Sequence, residues 1–145
     1  MSKISISILF ILITFTALAE DTTETRHPID IRLEECLSID SNYTTYGMMR
    51  CEAIARDEWD KEMNKYYNLL IKELSEEDVD RLRASQRQWL SYRDKEVDFS
   101  SQMYYGMEGT MWRVVAASSH TDIIKTRALE LKSYYEMLTF DRDHD

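Results

Sequence analysis

Proline occurs once in this chain, at Pro28, and glycine three times, at Gly47, Gly106 and Gly109. The residues that hairpins and sheet corners need are therefore nearly absent, and helix is the default conformation. Apolar side chains recur at helical spacing in three long stretches: Trp59, Met63, Tyr66, Leu70 and Leu74; then Val79, Leu82, Trp89, Leu90 and Val97; then Met111, Val114, Val115, Ile124, Ala128, Leu131, Tyr135 and Leu138. The spacing predicts a long helix from Thr44 or Thr45 to about Leu74. A tight turn follows, with Ser75 as N-cap and Asp78 able to close a capping box, and the next helix runs to about Ser101. Met103 to Gly109 reads as a loop, and a last helix starts at Thr110 with a weak patch at Ser118-Ser119-His120. A short helix from about Ile29, interrupted by Asp40-Ser41-Asn42, precedes them. The fold class is all-α, a small antiparallel bundle of about four helices.

Residues 1–19 read as a secretory signal peptide. Met1-Ser2-Lys3 is a basic start, Ile4 to Thr16 an apolar run, and Ala17-Leu18-Ala19 a small-x-small cleavage site. The run is shorter than the roughly 20 apolar residues a spanning helix needs, and no cysteine follows Ala19 to carry a lipid. The mature chain then starts near Glu20 in the periplasm or outside the cell, with no membrane insertion. A flexible lead-in (20–28), one helical domain (29–138) and an acidic tail (139–145) complete the organisation. Cys36 and Cys51 are the two cysteines. In an exported protein they read as one disulfide pinning the short first helix to the base of the long one, unless the chain dimerises through them. Asn42-Tyr43-Thr44 has the form of a glycosylation acceptor and is read as coincidence.

The formal net charge is −9, and Lys3 is the one charge in the leader, so the mature chain is more acidic by one. Such a balance disfavours nucleic acid and anionic lipid as partners and favours a cationic protein, besides serving solubility. The motifs of catalysis are missing. His27, His120 and His144 are scattered, without zinc-ligand spacing, phosphate loop or nucleophile elbow. Asp141, Asp143, His144 and Asp145 read as a frayed acidic end rather than a metal site. The chain reads as a binding protein without cofactor or metal, not as an enzyme.

Two polar groups break the apolar stripe of the third helix, Gln86 and Arg93. Buried, each needs a partner, because an unpaired amide costs a few kcal/mol and an unpaired charge more. Asp60, Asn64 and Tyr67 lie beside the stripe of the preceding helix, and the pairings expected are Asp60 with Arg93 and Asn64 with Gln86. Either these form an internal network that sets the register of two helices, or they form a surface that touches a partner. Trp59 and Trp89 belong to the facing stripes and are expected in the core. Tyr104, Tyr105 and Trp112, among Met103, Met107 and Met111, form either a lid on the bundle or a candidate partner surface.

The polar positions also carry a likeness. Cys36, Met49 ahead of Cys51, Asp60-x-x-Met63-Asn64-x-x-Tyr67 and Leu82-x-x-Ser85-Gln86-Arg87-x-Trp89-Leu90-x-Tyr92-Arg93-Asp94 resemble the bacterial lysozyme inhibitor LprI-like family. Gly109-Thr110-Met111 and Thr126-Arg127-x-x-Glu130-Leu131 continue it. The resemblance implies an exported helical protein, in some members an inhibitor of lysozyme. Such proteins usually carry two more cysteines, where this chain has Val97 and approximately Ser119. Their joint absence implies that they normally bond each other, supports the pairing of Cys36 with Cys51, and implies a last helix held less tightly to the third. Lysozymes of animal hosts are typically cationic, and an acidic surface would speed their capture. The alternative is an accessory envelope protein that binds another exported protein of the same cell.

Overall fold

The computed structural model describes residues 26–140. The expected signal peptide and most of the acidic tail lie outside the described residues. Four α-helices follow one another: α1 (Pro28–Leu37), α2 (Thr45–Glu73), α3 (Glu76–Tyr105) and α4 (Met111–Thr139), with a single 3-10 turn (Asp40–Asn42) between α1 and α2. Among the described residues there is no strand.

The helix starts follow from local chemistry. Pro28 occupies the first position of α1, where its missing N–H costs nothing, and the His27 ring accepts a bond from the Ile29 amide at 3.3 Å. Thr44 caps α2 through the Gly47 amide at 3.0 Å, and Ser75 caps α3 through the Asp78 amide at 3.2 Å. Three carboxylates, Glu76, Glu77 and Asp78, then sit at the positive end of the α3 dipole.

The sequence-based boundary of α3 was too early. Met103, Tyr104 and Tyr105 are helical, since nothing in them opposes helix, and the chain breaks only at the C-cap Gly106. The connection to α4 turns at Gly109, whose φ of 95° few other residues adopt. Helix α4 continues unbroken through Ser118-Ser119-His120, because those side chains are half-buried against neighbours rather than exposed.

Helices α2 and α4 form the central pair. Contacts between them advance in the same direction along both, from Thr45 with Thr110, through Glu52 with Thr121, to Tyr66 with Tyr135, so the two run parallel. The core is Ala55, Trp59, Met63, Tyr66 and Leu70 of α2 with Ile124, Ala128 and Leu131 of α4, joined by Ile29 of α1. Helix α3 returns antiparallel along α4 and touches α2 sparingly. Trp59 is fully buried; Trp89 packs against the core but keeps one side open.

On the other flank, α1 is fastened to α2 by the Cys36–Cys51 disulfide, with Cα atoms 5.8 Å apart. Closing that loop stabilises the fold by ~3 kcal/mol in the chain-entropy model. Arg32 forks onto Glu58 of α2, and Lys125 of α4 binds both oxygens of Asp30 at 2.8 Å. Asn42 is buried and donates to the Cys36 carbonyl at 2.9 Å, so its amide is engaged inside the fold.

The 3-10 turn lies flat on the first turn of α2, which is possible only because residue 47 is glycine. A Cβ there would stand 2.5 Å from the Asn42 carbonyl oxygen and 2.6 Å from its Cα. Backbone cannot step aside as a side chain can. Gly47→Ala is expected to destabilise the oxidised protein by about 1–3 kcal/mol, read as a lower midpoint in thermal unfolding; an unchanged midpoint would show that the 3-10 turn moves freely.

Candidate functional site

The polar groups of the bundle meet at a guanidinium that was not expected there. Arg127 of α4 is 6% exposed, and its Nε donates to Gln86 Oε1 of α3 at 3.0 Å. Its remaining nitrogens reach Ser85 Oγ at 3.3 Å and Glu130 at 2.6 Å. The Gln86 amide, 9% exposed, turns its nitrogen to the Met63 sulfur of α2 at 3.6 Å, a weak acceptor. One buried pair thus ties α3 to α4 and brings α2 alongside.

The pairings expected for the other members are replaced by local ones. Arg93 forks onto its neighbour Asp94 at 2.7 and 2.9 Å and lies over the Trp89 ring. Asn64 donates to Asp60 of its own helix at 2.9 Å. The reason is the arrangement of the helices, since α3 leans on α4 rather than lying along α2. Asp60, Asn64 and Tyr67 accordingly line an open cleft of about 360 Å³ between α2 and α3, with Arg83, Arg87 and Leu90 opposite and Met63 and Gln86 also in its lining.

Arg127 had a signal. It lies three residues after Ile124 and four before Leu131, on the apolar stripe of α4, the same anomaly that singled out Gln86. Glu52 is a second such case, falling on the stripe of Ala55 and Trp59 and buried against α4. Its carboxyl is held above the ordinary range, first by burial and then by the charge of Asp122, while the nearby hydroxyls of Thr121 and Ser118 and the charge of Arg56 oppose that rise. Oε2 has no partner. His120, 3.4 Å from Arg56, is held below its usual value by burial and by the charges of Arg56 and Arg93.

A larger cleft, about 440 Å³, opens between α3 and α4. Trp89, Tyr92, Phe99, Met103 and Tyr104 of α3 form its aromatic side with Glu96 among them; Ser119, Asp122, Ile123 and Thr126 of α4 face them. At its end the Tyr104 ring stacks on Trp112 with centroids 6.0 Å apart and planes 11° apart. Tyr105 and Met111 point outward. Of the three aromatic residues singled out from sequence, the structure brings Tyr104 and Trp112 together and leaves Tyr105 in solvent. Val97 is half-buried on α3.

A family model described as lysozyme inhibitor LprI matches residues 36–131, which include the buried pair and both clefts. The chain belongs to the lysozyme inhibitor LprI family. The family is described by inhibition rather than by a reaction of its own. A crystal structure of an uncharacterised protein from Burkholderia thailandensis superposes with a TM-score of 0.73 at 27% identity, over 79% of this chain and 56% of that one. The chain therefore spans little more than half the length of that relative. No curated protein matches it significantly. No helix among the described residues is long and apolar enough to cross a membrane, and no group of three or more His, Cys, Asp or Glu there could hold a metal ion.

In this LprI protein the two arginines should separate in their effects. Arg127→Ala leaves the Gln86 amide buried without its partner, and a loss of about 2–3 kcal/mol is expected. Arg93→Ala removes a surface pair and a ring contact worth about 1 kcal/mol or less. Urea unfolding of both variants checks the order, and equal losses would contradict it.

Glu52 gives a pH test. A carboxyl more easily protonated in the folded than in the unfolded chain contributes stability that is present below pH 4.5 and lost as pH rises through the elevated folded value. Glu52→Gln should therefore raise the thermal midpoint relative to the parent at pH 8 and lose that advantage below pH 4.5. A gain independent of pH would show that Glu52 is not the group responsible.

Proposed function

We propose that this chain is an exported, periplasmic binding protein that inhibits a cationic cell-wall hydrolase of the lysozyme type. The observation that carries the reading is the family match over residues 36–131. Charge supports it, since an acidic protein accelerates the encounter with a basic enzyme and orients it, whatever the final contacts. The amino-terminal leader supplies the export. The buried polar residues Gln86 and Arg127, with Asp60, Asn64, Tyr67 and Arg93 around them, serve the architecture. The aromatic residues at the end of α3 and the start of α4, exposed Tyr105 and Trp112 with half-buried Tyr104, serve contact.

The test is lysis of a cell-wall substrate by a cationic lysozyme in the presence of the oxidised mature protein, Glu20 to Asp145, at low and at physiological salt. Inhibition saturating at a fixed stoichiometry is expected, with association slowing as salt rises because the steering field is screened beyond about 8–10 Å. Absence of inhibition across several lysozymes would overturn the reading and leave a protein of the cell's own envelope as the partner to seek by pull-down.

A further inference from the structure

The α3–α4 cleft is unusual in the sign of its charges. Its carboxylates, Glu96 and Asp122, make no ion pair among the described residues, although ten such pairs occur elsewhere among them. No lysine or arginine lines the cleft. Its walls are aromatic, and two of those rings stand well out into solvent, Tyr92 at 55% and Phe99 at 62% exposure. An unneutralised carboxylate beside the face of an aromatic ring is a receptor for a guanidinium or ammonium group, attracted by the charge and by the ring quadrupole together.

Among the described residues the protein holds such arrangements internally: Lys65 over the Tyr66 ring with Glu62, Lys125 over the Trp59 ring with Asp30, and one beside the cleft itself. Arg93 lies over the Trp89 ring, 5.5 Å from the centroid, with Asp94 as its counter-ion. Because Arg93 is already neutralised there, it leaves the carboxylates of the cleft unpaired. The volume, about 440 Å³, lies within the ~300–1,000 Å³ of ordinary ligand pockets. That is room for a basic side chain together with part of the backbone that bears it.

We infer that the cleft lined by Trp89, Tyr92, Phe99 and Tyr104, with Glu96 and Asp122, receives an arginine or lysine side chain from a basic protein segment. This deepens the inhibitor reading and rests on it for the identity of the protein that bears the segment. With two carboxylates and no lysine or arginine in its lining, the cleft disfavours anionic ligands. Burial of the bound cation between carboxylates and rings would make these contacts the anchor of the complex, with rim charges contributing chiefly to the rate of encounter.

The experiment compares the parent with the double variant Glu96→Gln/Asp122→Asn, the variant Phe99→Ala, and a control of equal charge change away from the cleft, Glu35→Gln/Asp57→Asn. Circular dichroism and unfolding midpoints confirm the fold of each. If the parent inhibits lysozyme, both cleft variants should raise the inhibition constant by about tenfold at physiological salt while the control stays within about twofold. Cleft variants equal to the control overturn the inference and leave the inhibitor reading intact.

If the parent does not inhibit, the inhibitor reading fails and a hexa-arginine peptide amide decides for the cleft. Shifts of the Trp89 and Phe99 ring resonances that saturate in the parent and vanish in the double variant support it. No response, or a response to chitotriose instead of the peptide, overturns it.

Discussion

A buried guanidinium determines how the long helices of this protein meet. Arg127 sits inside the bundle because Gln86 offers it a carbonyl oxygen from α3 and Glu130 a carboxylate from its own helix. That site tolerates few alternatives, since sliding α3 along α4 would strand the buried Gln86 amide and leave the guanidinium with only the Glu130 carboxylate of its own helix. Hydrocarbon alone would permit several registers. The polar pair selects one, and once α3 is fixed on α4, the space between α3 and α2 is left open.

That geometry has a functional consequence. In a tightly squared bundle the flanks of α3 would be covered, whereas here they border two clefts of different character. The one shared with α2 holds Arg83 and Arg87 opposite Asp60, so its charges are mixed. The one shared with α4 is aromatic and purely acidic in its charged groups. In an acidic protein of an inhibitor family, the second has the chemistry that a basic enzyme surface complements. The disulfide, the α1 ion pairs and Gly47 lie on the far flank, where they hold the short helix and leave α3 untouched.

Much of this was legible in the amino-acid order. The scarcity of glycine and proline, the capping residues Thr44 and Ser75, and the two cysteines led directly to four helices and one staple. The likeness to LprI proteins was carried by residues within the span that the family model matches. What failed was the choice of partners. Gln86 was recognised as a polar group on an apolar stripe, but its partner was sought on the helix next in sequence, while helical periodicity says nothing about which pair of helices forms the centre. Arg127, which enters the sequence reading only within the family likeness, bears the same mark on the stripe of α4. Gly47 and the clefts depend on approaches between backbones distant in sequence, which no local pattern encodes.

The role of the α3–α4 face is tested most directly by hydroxyl-radical labelling of the protein with and without an equimolar cationic lysozyme. Labelling reports side-chain exposure, and this face carries reactive Tyr92, Phe99 and Met103, while Tyr43, the most open aromatic side chain among the described residues at 83% exposure, lies beside the 3-10 turn as an internal reference. Protection of Tyr92, Phe99 and Met103 with Tyr43 unchanged is the predicted result. Protection of Tyr43 with full labelling of the α3 aromatics would contradict it, and would place the contact on the flank held by the disulfide.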